Sequence, residues 1–154
     1  MGVNYINIYN NLVNLTRNKN LYKNFQYQDE FSDRLTYFLL HFAFFLKVLK
    51  KNDNKIVLQE IYDFIFRQLE LSIREIGYGD QTINKKMKDY INIFYSMIDA
   101  IYDWDQSTTK QKDLILKNYI NNSTFQPDLV NYFDDYRKKL SNNTLNYYLK
   151  SVLK

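Results

Sequence analysis

Phe31-Ser32-Asp33-Arg34-Leu35-Thr36-Tyr37-Phe38-Leu39-Leu40-His41-Phe42-Ala43-Phe44-Phe45-Leu46-Lys47-Val48-Leu49 decides the fold. Phe31, Leu35, Phe38, Phe42, Phe45 and Leu49 recur at helical steps and form one heptad-like stripe. Leu39, Ala43 and Leu46 widen it until the stretch to Lys51 is apolar most of the way round. Such a helix lies at the centre of a bundle or spans a membrane. The apolar run from Leu35 to Leu49 falls short of the ~20 residues a bilayer requires, and His41 interrupts it. We read it as a core helix.

On either side the helical period continues. Tyr5, Ile8, Tyr9, Leu12 and Leu15 predict an amphipathic helix over residues 3–17, followed by a polar, Asn-rich loop over 18–29. Lys51-Asn52-Asp53-Asn54 is a turn. A third helix runs from Ile56 to Ile76, with Val57, Ile61, Phe64, Ile65, Leu69 and Ile73 inward. Asp63 with Arg67, and Glu70 with Arg74, are spaced as ion pairs on its outer face. Gly77 stands where a left-handed cap belongs, and Thr82 is placed to cap a fourth helix reaching about Trp104. Ile83, Met87, Tyr90, Phe94, Met97 and Ile101 line its inner face. Residues 105–109 are a polar loop. Lys110 to Asn122 reads as a shorter helix, and Pro127 fits the first turn of the next, which carries Leu129, Val130, Phe133 and Tyr136. Thr144 to Lys154 adds a last turn or two. No strand pattern, repeat or linker is visible. The expectation is an all-α protein, a single domain over residues 1–154 built as an irregular bundle of about six helices.

Composition narrows the chemistry. A chain of 154 residues without Cys has no disulfide, thiol nucleophile or Cys-ligated metal, and its length allows a hydrophobic core without such help. Aromatic content is 18%, with 15 Tyr and 11 Phe, a bias that an AT-rich genome suffices to explain. The formal net charge of +4 is below the density of a dedicated nucleic-acid binder. It suits weak attraction to anionic lipid head groups or RNA, and gives no ground for specific DNA binding.

Two constellations stand out. His41, the only histidine, shares a helix face with Arg34, Tyr37 and Phe44. Spacing alone favours a hydrogen-bonded histidine in or at the edge of the core; the other reading is a polar contact for a partner. A lone His makes neither a typical zinc site nor an identifiable triad. The second is Gly77-Tyr78-Gly79-Asp80 with Lys85, Lys86 and Lys88. It lacks the Gly-Lys-Ser/Thr ending and the preceding strand of a phosphate loop. It is either a solvated face or a docking surface for an acidic or anionic partner.

In these residues the chain resembles the ubiquinol–cytochrome c chaperone family, the assembly factors of the cytochrome bc1 complex. That family has an Asp-x-Phe-x-x-Arg lead into an apolar helix with a Leu-His pair, matched by Asp29, Phe31, Arg34 and Leu40-His41. Arg74-Glu75-Ile76-Gly77-Tyr78-Gly79-Asp80 matches its hinge, and Lys85-Lys86-Met87-Lys88 the Lys-rich start of the next helix. Phe94-Tyr95 matches an aromatic pair, and Lys117-Asn118 an Arg-Asn at a later helix end. The likeness runs from about Tyr9 to Tyr136. It departs where Tyr27-Gln28 replaces a Val-Pro, where Tyr78 replaces a smaller aliphatic residue, and where Ser96-Met97 replaces a Gly-Arg.

The resemblance implies a helical, non-catalytic protein that binds newly made cytochrome b before haem insertion is complete. Mitochondrial members work near the ribosomal exit. With no signal or transit peptide read from its start, the chain resembles the compact bacterial form, cytoplasmic and peripheral to the inner membrane. The haem belongs to the client, so no cofactor is expected here. Arg34 and His41, on the accessible side of the second helix, and Asp80, Lys85, Lys86 and Lys88, as a charged rim at the hinge, are the expected partner-binding residues. Transient membrane-surface contact accompanies this reading; the resemblance ties ribosome contact to the mitochondrial members and leaves it open for the bacterial form. The alternative is a ribosome- or RNA-associated helical module that uses the basic cluster.

Overall fold

Helical periodicity becomes seven α-helices among the described residues of the computed structural model, which are 5–18, 21, 31–120 and 126–150. They are α1 (Ile6–Thr16), α2 (Phe31–Leu49), α3 (Lys55–Ile76), α4 (Asp80–Ala100), α5 (Thr109–Lys117), α6 (Pro127–Ser141) and α7 (Leu145–Lys150), with a 3-10 turn at Trp104–Gln106. No strand occurs among the described residues, so the all-α expectation holds. Most of the expected 18–29 loop, Asp29, Tyr27-Gln28, residues 121–122 and residues 151–154 lie outside the described residues, as does the side chain of Phe31.

Local chemistry sets the ends. The Asn54 side chain accepts from the Lys51 amide at 2.8 Å and donates to the Leu49 carbonyl at 2.6 Å, closing the turn after α2. Thr108 and Gln111 form a reciprocal capping box at the start of α5. Pro127 occupies the first turn of α6, where its missing N–H costs nothing. The fifth helix ends at Lys117, short of the expected Asn122, and the fourth differs at both ends. The fourth helix starts at Asp80 with Gly79 as its cap, ahead of Thr82. It ends at Ala100, so Trp104 falls in the 3-10 turn.

Helix α2 packs against α1, α4 and α6, while α3 lies on α4, α5 on α6, and α7 on α1. Of the residues expected to face inward, Phe38, Phe42, Phe45, Ile61, Ile65, Phe94 and Ile101 are buried, whereas Val57, Phe64 and Tyr90 are half-buried against the core. Phe42 stacks on Phe94 with ring centres 5.1 Å apart, and Phe44 stacks on Phe133 at 5.3 Å. Trp104 closes the other end, its indole N–H donating to Asp134 at 2.8 Å. Among the described residues no helix is long and apolar enough to cross a membrane.

Candidate partner-binding surface

The α3–α4 hinge follows from its glycines unequally. Gly77 has φ +107°, a left-handed conformation that L side chains adopt only under strain, and its amide donates to the Arg74 carbonyl. Gly79 has φ −74° and ψ 162°, ordinary extended backbone. Gly77 alone supplies the unusual geometry, and the reversal makes no such demand of Gly79. Arg74 then locks the hinge. Its guanidinium donates to Asp80 at 2.5 Å and reaches Glu70 at 3.7 Å. The other expected outer-face pair, Asp63 with Arg67, does not form; Asp63 accepts from the Gln59 side-chain amide at 3.0 Å.

Asp80 sits in the first turn of α4, where the positive end of the helix dipole favours a carboxylate. Lys85 and Lys88 are exposed, and the Lys86 ammonium lies 4.8 Å from the centre of the Tyr78 ring. None of the three lysines forms an ion pair among the described residues. Because α4 begins at Asp80, they lie in its second and third turns, past the part where the dipole opposes a cation. Ile76 and Tyr78 are 52% and 42% exposed, large apolar groups on the same hinge. The structure thus brings the Lys86 cation onto the exposed Tyr78 ring, with Lys85 and Lys88 exposed on the same helix.

The other expected contact residues part company. Arg34 is at the surface of α2, but His41 is 0% exposed, so its expected place on an accessible face is corrected. Its Nδ1 lies 2.6 Å from the Tyr37 carbonyl, which only accepts, so Nδ1 carries the proton and Nε2 accepts from the Tyr132 hydroxyl at 2.6 Å. The rings of Tyr132, Phe133 and Tyr136 enclose the imidazole, and the Tyr136 hydroxyl donates to the His41 carbonyl at 3.3 Å. Burial pulls its pKa down to about 4, opposed by the hydrogen bond to Tyr37. His41 therefore ties α2 to α6 as a neutral group, as its spacing alone suggested.

Met97, at the position the resemblance matched to an arginine, is fully buried against the core. Lys117 pairs at 3.1 Å with the buried Asp113, whose other oxygen accepts from the Gln126 amide at the start of α6. Tyr95, the second of the aromatic pair, is half exposed and reaches Tyr62 on α3, with ring centres 6.1 Å apart. Burial and the hydrogen bond with Tyr95 hold the Tyr62 phenol above its usual range. These two rings floor a groove of about 340 Å³ edged by Lys47, Lys50 and Lys55. Sequence reasoning passed over this groove; the crowding of lysines on both sides of the α2–α3 turn was the available signal.

A family model described as ubiquinol-cytochrome C chaperone matches residues 23–150. No curated protein matches the chain. Among solved structures, the crystal structure of the Cbp3 homolog from Brucella abortus is similar with a TM-score of 0.77 and 24% identity, over 96% of this chain and 86% of that one. At that identity the likeness concerns the fold.

Proposed function

The chain belongs to the ubiquinol-cytochrome C chaperone family, and from that premise we propose that it is a non-catalytic assembly factor of the cytochrome bc1 complex that binds newly made cytochrome b. The family match over residues 23–150 carries this reading. The hinge supports it: exposed Ile76 and Tyr78, with Lys86 over the Tyr78 ring and Lys85 and Lys88 exposed on the same helix, offer an apolar contact with cations around it. Interfaces of this kind draw affinity from the apolar centre and orientation from the charged edge. Asp80 acts on the client through the hinge, because Arg74 holds it. Arg34 provides a second contact, whereas His41 is a positioning residue for α2 and α6. The protein works on the cytoplasmic side of the inner membrane and brings no cofactor to the client's haem.

Tagged protein recovered from native membranes tests this directly. Enrichment of cytochrome b is the expected result, and its absence sinks the reading. Changing Lys85, Lys86 and Lys88 together to Gln is expected to leave the fold intact and lower recovery of cytochrome b severalfold. Normal recovery, normal cytochrome b content and normal respiratory growth would show the cluster to be a solvated face. Capture that collapses steeply with added salt and brings down RNA instead would favour the RNA-associated alternative, since counterion release dominates such binding.

A further inference from the structure

At the far end of α3 from the hinge, about 30 Å away at the usual helical rise, the α2–α3 corner is built differently. Lys50, Lys51 and Lys55 are all exposed there, and none has an ion-pair partner among the described residues. Lys47, by contrast, is spoken for by Asp105 at 3.5 Å. Asp53 is the only acid in the turn itself, so the corner is cationic. Next to Lys55 stands Ile56, 77% exposed in the first turn of α3. Beside them opens the groove, with Leu58 and Ile98 adding to its apolar wall and the Tyr62 and Tyr95 rings to its floor.

From this juxtaposition we propose that the α2–α3 corner docks the protein on an anionic phospholipid surface. Lys50, Lys51 and Lys55 meet the phosphates, Ile56 enters the interfacial layer, and the Tyr62–Tyr95 groove seats part of one lipid next to Lys55. Charge complementarity selects an anionic partner. The protruding aliphatic side chain selects a lipid over a nucleic acid, because a phosphate backbone gives no return for an exposed isoleucine whereas the acyl boundary does. Tyrosine suits that boundary, with an apolar ring and a wet hydroxyl. The inference deepens the reading above, on which the protein works at a membrane face; it rests on that reading only for which membrane is meant. It also leaves the hinge at the other end of α3 free for a protein partner.

Co-sedimentation of the full chain with vesicles tests it without any client, so it can fail while the chaperone reading stands, and the reverse. Binding is expected to vesicles of phosphatidylglycerol with phosphatidylcholine and not to phosphatidylcholine alone, and to weaken with salt. Changing Lys50, Lys51 and Lys55 together to Gln should lower partitioning by on the order of 100-fold with an unchanged helical spectrum. The hinge variant carrying Lys85, Lys86 and Lys88 as Gln should bind vesicles nearly as the parent does. Equal loss in both variants would mean a diffuse effect of net charge and overturn the proposal. So would a corner variant that keeps its vesicle binding but loses capture of cytochrome b, which would assign the groove to an acidic protein segment. Because the chain has no Cys, Ile56→Cys carries a single environment-sensitive fluorophore. Its emission should shift to the blue on anionic vesicles, and the same label at Lys88→Cys should not. A shift at Lys88→Cys alone also overturns the proposal.

Discussion

His41 illustrates how burial settles what residue type leaves open. Hydrogen bonds to the Tyr37 carbonyl and the Tyr132 hydroxyl satisfy one neutral tautomer, and burial holds the pKa down to about 4. On unfolding the ring returns to its ordinary value near 6.5. The unfolded chain then binds more protons between about pH 6.5 and about pH 4, so stability falls as pH drops through that window and rises with pH within it. The total is on the order of 3 kcal/mol, reached near the lower end. Urea unfolding at a series of pH values, for the parent and for His41→Gln, isolates this contribution from the carboxylates they share. The stability difference between the two proteins should shrink as the pH is lowered. A difference that stays constant across the window would show that His41 is not held neutral in the fold.

Among the helices, the hinge shows which parts of an element the sequence makes legible. Gly77 as the stop of α3 could be read, because few residues other than glycine tolerate φ +107°. The start of α4 could not, since Gly79, Asp80 and Thr82 all suit an N-terminus, and the bond from Arg74 to Asp80 selects among them only in three dimensions. The two glycines should accordingly respond in opposite ways. A Cβ on either meets nothing within 4 Å, so only backbone and capping terms remain. Gly77→Ala should cost about 1–2 kcal/mol, the penalty of an L residue in the left-handed region. Gly79→Ser should stabilise by a few tenths of a kcal/mol, because its backbone already has cap geometry and a serine oxygen can accept from the first turn. Thermal unfolding of both variants measures the contrast, and equal destabilisation would refute the assigned roles.

Across the whole molecule, the core was legible and the surfaces were less so. Apolar spacing in α2, α3 and α4 marks Phe42, Ile61, Ile65 and Phe94 as inward whatever the helices' partners are. The hinge lysines were legible as a cluster because they are neighbours in sequence. The groove was not, since Lys47, Lys55, Tyr62 and Tyr95 come from three helices and meet only through packing. A ladder of rings joins the two regimes. Tyr95 contacts Tyr62 and Phe94, and Phe94 stacks on Phe42, so the ladder runs from a half-exposed ring to one that is 0% exposed. Truncation along it should therefore grow more costly with depth. Phe42→Ala removes a ring packed on Phe45, Phe66 and Phe94, and should cost about 3–5 kcal/mol. That is a large share of the roughly 5–15 kcal/mol that holds a domain folded. Tyr95→Ala takes away an outer ring whose site opens to solvent, so the loss should be about 1 kcal/mol. Denaturant unfolding of the two variants orders them. Equal costs would mean that the groove floor belongs to the rigid core, whereas the expected gap leaves Tyr95 free to serve binding without holding the fold.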